Sequence, residues 1–290
     1  MKKLRRISAL FLSLILIAVT VVQINAATVY QLDGYSYTVI STGLISLYDW
    51  DNRSTTLTVP EKLGNNYFYE IGDYSIRGNS VITVLDLKNA KRLNRIGIMA
   101  FENCPNISGE VFIPFTVGQI GLGAFQGCTS LETATIDANV SAIPAQCFND
   151  CTSLKNVALP SMLSRIEKFA FADCTSLESI LIPKNVVYID PTAFENDDNL
   201  VIHCYANSTA HQFAVENGYK FFLVDRILGD VNGDRSIDIL DVTRIQKYRA
   251  DLVTFDEAEL ERADVNGDGK VTIRDATLIQ MFISETITEF

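Results

Sequence analysis

A short motif that recurs every 23 to 25 residues is the feature that most limits how this chain can fold. Each unit carries an isoleucine, and most units also carry an aromatic residue about five positions later and a cysteine three positions after that. A unit this short cannot enclose a core alone, so its apolar residues need those of the next unit to cover them. We therefore expect the units to stack as a solenoid, with short strands about 4.8 Å apart in one shared sheet.

The repeat positions form three columns in the sequence. The isoleucine column comprises Ile71, Ile96, Ile120, Ile143, Ile166 and Ile189. The aromatic column comprises Phe101, Phe125, Phe148, Phe171 and Phe194, with Ile76 at this place in the first copy. The cysteine column comprises Cys104, Cys128, Cys151 and Cys174. Each unit then opens a predicted strand such as LKNVALP or LESILIP, and we expect an outward-facing, mostly apolar row at Phe112, Thr135, Ala158 and Leu181.

These strings resemble the BspA-like leucine-rich repeats of bacterial surface antigens, a family built on I-G-x-x-A-F-x-x-C-x-x-L. The resemblance covers roughly residues 60 to 224, and the segment from Cys204 to Val224 resembles the strand–helix–strand cap that ends such arrays. It implies an extracellular interaction surface and does not imply a reaction.

The N-terminus has the three-part pattern of an export signal. A basic start, MKKLRR, leads into an uncharged apolar run from Ala9 to Val22, and the small residue Ala26 suits signal peptidase. The run is short for a bilayer span, although an uncleaved anchor remains the alternative. We predict a signal peptide at residues 1–26, a secreted extracellular protein, and no membrane insertion after signal removal.

The six cysteines invite a disulfide interpretation in an exported chain. Four of them share one repeat column beside the core aromatic, which favours packing as buried free thiols. One bridge involving Cys147 or Cys204 is the alternative, and a metal site is a further one, although no His or second Cys falls at ligand spacing.

An aromatic-rich segment at residues 27–75 precedes the repeats. It contains Trp50 and many tyrosines, and alternating strings such as YSYTVI predict strands. Exposed aromatic rings could stack on sugars, which would make this a glycan-binding segment. We favour a cap over the open apolar end of a solenoid that spans residues 76–224 with its C-terminal cap.

The acidity of the chain concentrates in its tail. The whole chain has 35 acidic and 24 basic residues, and residues 229–290 hold 14 acidic against 7 basic ones. Such a charge disfavours nucleic acid and anionic membranes as partners. Two twelve-residue strings, DVNGDRSIDILD from Asp230 and DVNGDGKVTIRD from Asp264, begin 34 residues apart and precede similar helical sequences.

Oxygen side chains at positions 1, 3, 5, 9 and 12 of such a loop are the arrangement that binds calcium, with a backbone carbonyl at position 7. We predict two Ca²⁺ ions. The ligands of the first are Asp230, Asn232, Asp234, Asp238 and Asp241 with the carbonyl of Ser236; those of the second are Asp264, Asn266, Asp268, Thr272 and Asp275 with the carbonyl of Lys270. Converging carboxylates repel one another without a cation, so we expect metal binding to be coupled to folding.

A single helix after each loop, a closing Asp instead of Glu, and the duplicated segment length resemble a type I dockerin over Gly229 to Phe290. One departure is Arg235, where the sixth loop position usually carries a glycine with positive φ; strain of about 1 kcal/mol is expected there. The resemblance implies a small all-α domain that binds the cohesin module of a scaffoldin in a polysaccharide-degrading complex, the cellulosome, and hence a cell-surface complex.

The resemblance also implies which residues contact the cohesin, at loop positions 10 and 11 and helix positions 17 and 18. These are Ile239, Leu240, Gln246 and Lys247 in the first half, and Ile273, Arg274, Gln280 and Met281 in the second. The seven-residue spacing places them on one helical face, and we expect two faces of unequal strength. The alternative is that the apolar members only pack the domain.

We also expect Ile237 and Val271 to pair the loops, and a capping box at Thr254 and Glu257 to start the intervening helix.

The solenoid sequence contains no recognisable catalytic motif. It has only His203 and His211, and no G-x-S-x-G, HExxH or Cys–His nucleophile arrangement. We predict a mixed fold of solenoid plus all-α dockerin, and a noncatalytic secreted cellulosome component whose solenoid binds an unknown protein or glycan. The alternatives are a glycoside hydrolase with an unrecognised active site in the solenoid, or a structural or inhibitory subunit.

Overall fold

A computed structural model describes residues 20–24, 27–50, 54–224, 227–234 and 236–290. The chain divides into two compact units. The first extends to Glu178 and includes Asp190–Asn199, and the second comprises Ser179–Ile189 and Leu200–Phe290. This division falls within the repeats, and the domain boundaries expected from the sequence remain predictions.

The elements are mostly short strands, followed by helices near the C-terminus. The described strands are β1 (Thr20–Ile24), β2 (Ala27–Leu32), β3 (Tyr35–Ser41), β4 (Leu44–Trp50), β5 (Thr56–Thr58), β6 (Lys62–Leu63), β7 (Asn66–Ile71), β8 (Val84–Asp86), β9 (Arg95–Ile96), β10 (Gly109–Ile113), β11 (Gln119–Ile120), β12 (Leu131–Ile136), β13 (Ala142–Ile143), β14 (Asn156–Ala158), β15 (Arg165–Ile166), β16 (Ser179–Leu181), β17 (Tyr188–Ile189), β18 (Val201–Cys204) and β19 (Lys220–Leu223). The described helices are α1 (Thr209–Asn217), α2 (Ile239–Arg249), α3 (Glu257–Ala263) and α4 (Ile273–Ile283). The expected fold, a β-solenoid followed by a helical region, is confirmed.

The first strands form an antiparallel meander that joins the solenoid sheet. β1, β2, β3 and β4 pair in sequence order, and β4 then pairs in parallel with β7. The ring of Tyr35 tilts against Trp50 at 4.6 Å and against Phe68 at 5.4 Å between centroids, and both partners are buried. The strand expected at YSYTVI is β3.

β1 lies inside the segment that the sequence predicts to be an export signal. It pairs with β2 from Thr20 opposite Gln31 to Ile24 opposite Ala27. Residues 1–19 and 25–26 of the predicted signal lie outside the described residues. The signal peptide remains a prediction, and cleavage after residue 26 would make β2 the edge strand of this sheet.

Each repeat contributes strands to two ladders, where the sequence suggested one shared sheet. In one ladder, parallel pairs align Ile71 with Ile96 and Ile96 with Ile120, and a further pair aligns Ile143 with Ile166. In the other, β10, β12 and β14 pair in parallel. The strands that contain the isoleucine column are mostly only two residues long. A strand this short shows no alternation of apolar and polar residues, so the sequence pattern does not predict it.

Glycine after isoleucine lets the backbones of successive early rungs touch. A Cβ atom at Gly97 would lie 2.5 Å from the carbonyl carbon of Gly72, and one at Gly121 would lie 2.5 Å from that of Gly97. No side chain fits within such a distance. The close approach accompanies hydrogen bonds from Gly97 N to Ile71 O and from Gly121 N to Ile96 O, each 2.8 Å.

The aromatic column forms a continuous stack of rings in the core. Phe101, Phe125, Phe148, Phe171 and Phe194 have successive centroids 5.3 to 5.5 Å apart and interplanar angles of 10° or less. All five side chains are fully buried. The expected core column is therefore confirmed, and its regular spacing follows from the repeat of the rungs.

The cysteine column runs beside these rings and is hydrogen-bonded. The Sγ atoms of Cys104, Cys128, Cys151 and Cys174 donate to the carbonyl oxygens of Ile76, Phe101, Phe125 and Phe148 at 3.0 to 3.3 Å. Cys147 and Cys204 are buried as well, and none of the described cysteines forms a disulfide, so the expectation of buried thiols is confirmed. Burial raises the pKa of the Cys104 thiol to about 11 and raises that of Cys147 further still.

A strand–helix–strand segment ends the repeats, as expected. β18 and β19 pair in parallel, with Ile202 opposite Phe221, and α1 connects them. The Ser208 side chain caps α1 by accepting from His211 N at 3.2 Å, and Gly218 ends it with φ of +74°. Within the described part of the chain, no helix combines the length and the apolar character that crossing a bilayer requires.

Candidate calcium loops and docking faces

The first acidic loop is organised by carboxylates that accept hydrogen bonds from its own backbone. Asp230 Oδ1 accepts from Gly233 N at 2.8 Å and from Asp234 N at 3.0 Å. Asn232 Oδ1 accepts from Asp234 N at 2.8 Å, and Asp234 Oδ1 accepts from Ser236 N at 2.8 Å. These bonds wrap the chain so that the side chains predicted to be ligands come from one tight turn.

Asp241 closes the first loop and starts the following helix. Its Oδ1 accepts from Asn232 N at 3.0 Å and its Oδ2 from Asp238 N at 2.9 Å, while the Asp238 side chain accepts from Leu240 N at 2.7 Å. The last two predicted ligands thus form the capping box of α2. Asp241 is fully buried, and this burial raises its pKa although the backbone donors oppose the rise.

The second loop repeats this arrangement. Asp264 accepts from Asp268 N at 3.1 Å and from Gly269 N at 2.7 Å, and Asp268 accepts from Lys270 N at 3.0 Å. Asn266 Oδ1 accepts from Asp268 N at 3.0 Å. The two loops therefore share three hydrogen bonds at equivalent positions, and differ in that Asp230 also accepts from Gly233 N whereas Asp264 also accepts from Gly269 N.

The second loop is also closed by a capping box. Asp275 Oδ2 accepts from Thr272 N at 2.8 Å and from Thr272 Oγ1 at 2.9 Å, and Oδ1 accepts from Asn266 Nδ2 at 2.7 Å. The Thr272 hydroxyl caps α4 by accepting from Arg274 N at 3.2 Å. Asp275 is fully buried, like Asp241.

The donor set fits a hard divalent cation. Each loop offers Asp and Asn oxygens with no soft ligand, which is the chemistry that calcium prefers. Among the described residues, no three His, Cys, Asp or Glu side chains alone converge closely enough to hold a metal ion, so Asn232, Asn266 and backbone carbonyls would be needed to complete each set. Gly269, at the sixth position, has φ of +81°, while its counterpart Arg235 lies outside the described residues.

The two loop–helix halves share one core. Val242 and Ile245 of α2 are buried with Ala276 and Ile279 of α4, and Val271 joins the same cluster. Ile237 packs against it, so both eighth loop positions contribute to the core, while the pairing of the loops through them stays a prediction.

The intervening helix begins two residues later than the sequence suggested. The capping box expected at Thr254 is wrong: the cap of α3 is Asp256, whose side chain accepts from Glu259 N at 2.8 Å, while Glu259 Oε2 accepts from Asp256 N at 2.9 Å. Glu259 Oε1 also accepts from Arg244 Nε of α2 at 2.7 Å. Two capping-box motifs overlap here, one that starts at Thr254 and one that starts at Asp256. The hydrogen bond from Arg244 favours the second motif, and this tertiary contact cannot be read from the local sequence.

The two ends of the helical region meet. Gly229 has φ of +91°, and a Cβ there would lie 2.9 Å from Cε2 of Phe290. Phe290 stacks on Phe282 at 4.9 Å between centroids and packs against the shared core. Gly229 N also donates to Arg262 O at 2.8 Å, which ties the first loop to the end of α3.

Most of the side chains expected to contact a cohesin are exposed. Ile239, Leu240 and Ile273 are 57%, 56% and 55% exposed, and Gln246, Lys247, Arg274 and Gln280 are also exposed, whereas Met281 is half-buried. Exposed isoleucine and leucine at a helix start contribute little to the core. This argues against the alternative in which these residues only pack the domain.

The outward row of the solenoid is in register. Phe112 lies opposite Thr135, and Thr135 lies opposite Ala158, while Leu181 lies opposite His203 in the second unit. Thr135 Oγ1 donates to Glu110 at 2.9 Å, so the row is more polar than its sequence suggests.

Comparison with known families gives two matches within the chain. A BspA type leucine rich repeat region matches residues 59–201 in six copies, and a dockerin type I domain matches residues 228–284. The chain therefore carries BspA-type leucine-rich repeats followed by a type I dockerin domain. No curated protein gives a match.

Several solved structures, among them three leucine-rich repeat proteins, are similar to the chain. A leucine rich cell surface protein from Faecalibacterium prausnitzii is 23% identical, with a TM-score of 0.45 over 61% of this chain and 54% of that one. A leucine-rich repeat protein from Eubacterium ventriosum is 22% identical, with a TM-score of 0.48 over 61% and 51%. The leucine rich repeat protein of T. pallidum is 18% identical, with a TM-score of 0.36 over 59% and 68%. The chain spans about half the length of the first two.

These matches define the modules of the protein. A dockerin is a cohesin-docking, calcium-binding module, and leucine-rich repeats are protein-binding modules. Neither is a catalytic module, and no enzymatic family matches the chain. Both modules are typical of extracellular or surface proteins.

Proposed function

We propose that the protein is a noncatalytic, secreted component of a cellulosome-type complex that takes part in polysaccharide catabolism. Its dockerin docks it onto the cohesin of a scaffoldin at the cell surface, and its solenoid presents a protein- or glycan-binding surface. The observation that carries the proposal is the pair of equivalent exposed faces, headed by Ile239 and Ile273, on two loop–helix halves with matching bonding. A signal peptide at residues 1–26, the cap at 27–75, the solenoid at 76–224 and the dockerin at 229–290 complete the proposed organisation.

Two calcium ions shape the docking domain in this proposal. The ligands are the side chains and carbonyls predicted from the loop positions, from Asp230 to Asp241 and from Asp264 to Asp275. Bound calcium supplies positive charge that offsets the repulsion among carboxylates drawn into one turn. Asp241 and Asp275 couple the ions to the helices, because each closes a loop and completes the capping box of the helix that carries the docking face.

The two faces are similar but unequal. Ile239 and Gln246 have counterparts in Ile273 and Gln280, whereas Leu240 corresponds to Arg274 and Lys247 to Met281. A cohesin that recognises isoleucine and glutamine can therefore engage either face, while the charged positions set the preference.

Calorimetry against a panel of cohesins, with calcium and with a chelator, tests the docking. We expect calcium-dependent binding that is weakened by Ile239→Asp or Ile273→Asp alone and abolished by the double variant. Glu289→Ala, near the C-terminus, serves as the control and should leave binding unchanged. Calcium-independent binding, or no binding to any cohesin, would contradict the proposal.

The noncatalytic role has a separate test. The protein is incubated with a panel of plant polysaccharides, and reducing ends are measured over time. We expect no release above the buffer blank, and sustained release of reducing sugar by the pure protein would favour a hydrolase instead.

A further inference from the structure

Two cations near the start of the matched repeat region lack an acidic partner among the described residues of a protein with a net charge of −11. Arg92 Cζ lies 4.1 Å from the ring centroid of Tyr67, and Lys62 Nζ lies 4.4 Å from the same centroid. No carboxylate of the described residues pairs with either cation, whereas Arg95 pairs with both Glu70 and Asp73. Two unpaired positive charges held on one aromatic ring attract an anion.

Arg92 also lines a cleft on this side of the rungs. The cleft has a volume of about 440 Å³, which is in the range of small-ligand sites. Its aromatic lining comes from Tyr69 and from Phe115, which is 60% exposed, and its amide groups come from Asn94 and Asn139. The site thus combines aromatic faces, neutral amides and one guanidinium.

The lining residues come from successive rungs. Tyr69 lies on β7, Asn94 directly precedes β9, Phe115 precedes β11 and Asn139 precedes β13. Three rung spacings give the cleft a length of about 14 Å. The Tyr69 hydroxyl donates to Asn94 Oδ1 at 3.2 Å, and Asn94 Nδ2 lies a long 3.5 Å from Thr116 O, which leaves this amide able to donate to a ligand.

We propose that this cleft binds an acidic oligosaccharide, with a uronic acid carboxylate placed against Arg92. The aromatic rings of Tyr69 and Phe115 suit the C–H faces of pyranose rings, and the asparagine amides suit hydroxyl groups. The inference rests on the proposed function and names a ligand class for its solenoid.

An acidic peptide fits the cleft less well. Peptides add to free sheet edges or insert side chains into apolar pockets, whereas this cleft crosses paired rungs and has polar amides along it. A protein interface also needs a larger area than this cleft offers.

Calorimetry of the full chain with a galacturonate oligosaccharide tests the inference. A neutral cello-oligosaccharide of equal length and a polyglutamate peptide are the comparison ligands. We expect binding of the galacturonate alone, weakened by added salt because the contact is ionic. Arg92→Ala should weaken it about tenfold or more, since a hydrogen-bonded charge pair is lost.

Further variants distinguish specific binding in the cleft from non-specific attraction of an anion to surface charges. Arg92→Lys keeps the charge and should retain part of the affinity, and Phe115→Ala should reduce affinity without changing the salt dependence. Lys168→Ala is the matched control, because Lys168 also lies over an aromatic ring, 4.7 Å from the centroid of Phe169, outside the cleft. It should change the affinity less than about twofold.

Three results would overturn the inference: no galacturonate binding, equal binding of polyglutamate, or unchanged affinity in Arg92→Ala. Circular dichroism confirms that each variant is folded. Cohesin binding measured on the same samples separates the two proposals, because retained docking without saccharide binding removes only this inference. Saccharide binding without docking would instead remove the cohesin proposal.

Discussion

Asp197 carries a carboxyl group at the place where the preceding rungs carry thiols. It stands three residues after Phe194, as Cys174 stands three after Phe171, and it is 3% exposed. Neither carboxyl oxygen makes a hydrogen bond; the backbone N–H of Cys174 faces the group and lowers its pKa only in part. Burial is the larger effect and raises the pKa of Asp197 to about 8.

This carboxyl should make the solenoid less stable as the pH rises from about 4 to about 8. In the unfolded chain Asp197 loses its proton near its ordinary pKa, whereas in the folded protein it keeps the proton until about pH 8. Between these two values the folded state binds more protons than the unfolded state, so the free energy of unfolding falls as the pH rises. Asp197→Cys, which continues the thiol column, should remove this dependence and stabilise the solenoid by about 2 kcal/mol at pH 8. Urea unfolding at pH 5 and pH 8 measures the difference, with Glu178→Gln, a change at an exposed carboxylate, as the control.

If Asp197→Cys raised the free energy of unfolding equally at pH 5 and pH 8, ionisation of Asp197 would not be the cause of the stabilisation. The sequence did not reveal this position, because the cysteine pattern simply stops before Asp197 and an aspartate in a run of acidic and amide residues predicts a loop.

The buried thiols should be unreactive in the native protein. Burial raises the pKa of Cys104 to about 11 and also raises that of the deeper column members, so the reactive thiolate is scarce at neutral pH. We expect an aromatic disulfide reagent to label none of the six cysteines in buffer and all six in urea without reductant. A lower final count would show that a disulfide forms.

At the scale of the element, the phenylalanine stack links each rung to two neighbours. The ring of Phe148 lies 5.4 Å from Phe125 and 5.5 Å from Phe171, in nearly parallel planes. The sequence predicted this column fully, because a fixed period and a large apolar residue leave one way to bury every ring.

Phe148→Ala should be strongly destabilising because it opens a cavity that touches two rungs. We expect a loss of about 4 kcal/mol in the free energy of unfolding, measured by urea denaturation. Phe115→Ala is the matched control, since Phe115 is 60% exposed and its loss should cost about 0.5 kcal/mol or less. A small effect at Phe148 would mean that the rungs close over the gap.

The helical elements show where local sequence signals are insufficient. Loop spacing marked positions 9 and 12 only as calcium ligands, and the structure shows that the same residues form the capping boxes of α2 and α4. The start of α3 was missed because Thr254 and Asp256 both precede a glutamate by three residues. Only the contact between Glu259 and Arg244 of α2, which is tertiary, decides between them.

At the scale of the whole molecule, calcium should matter to one part of the chain only. The fully buried Asp241 and Asp275 lie in the helical region, whereas the solenoid core is built mainly of aliphatic side chains, phenylalanine rings and thiols and contains none of the predicted calcium ligands. A chelator should therefore remove the helical circular dichroism signal of the dockerin and leave a separate solenoid unfolding transition unchanged. Calorimetric scans with calcium and with chelator provide the measurement. Loss of both transitions on chelation would contradict it.

The solenoid could be predicted from the sequence because the same motif occurs in several successive units. The proposed metal sites could be predicted because the same loop pattern occurs twice. The cleft around Arg92 could not be predicted. Its members lie about 23 to 25 residues apart, follow no residue type that recurs from rung to rung, and meet only because successive rungs align them.

The identical register of neighbouring rungs also bears on how such a protein can change over evolutionary time. Thr133 lies opposite Asn156 and Thr135 opposite Ala158, so a duplicated 23-residue unit between β12 and β14 would meet two surfaces that already fit it. Gene duplication or deletion could thus lengthen or shorten the array in steps of about 4.8 Å without new contacts having to evolve. The length of the array would then change only by whole repeats, independently of what either end of the protein binds.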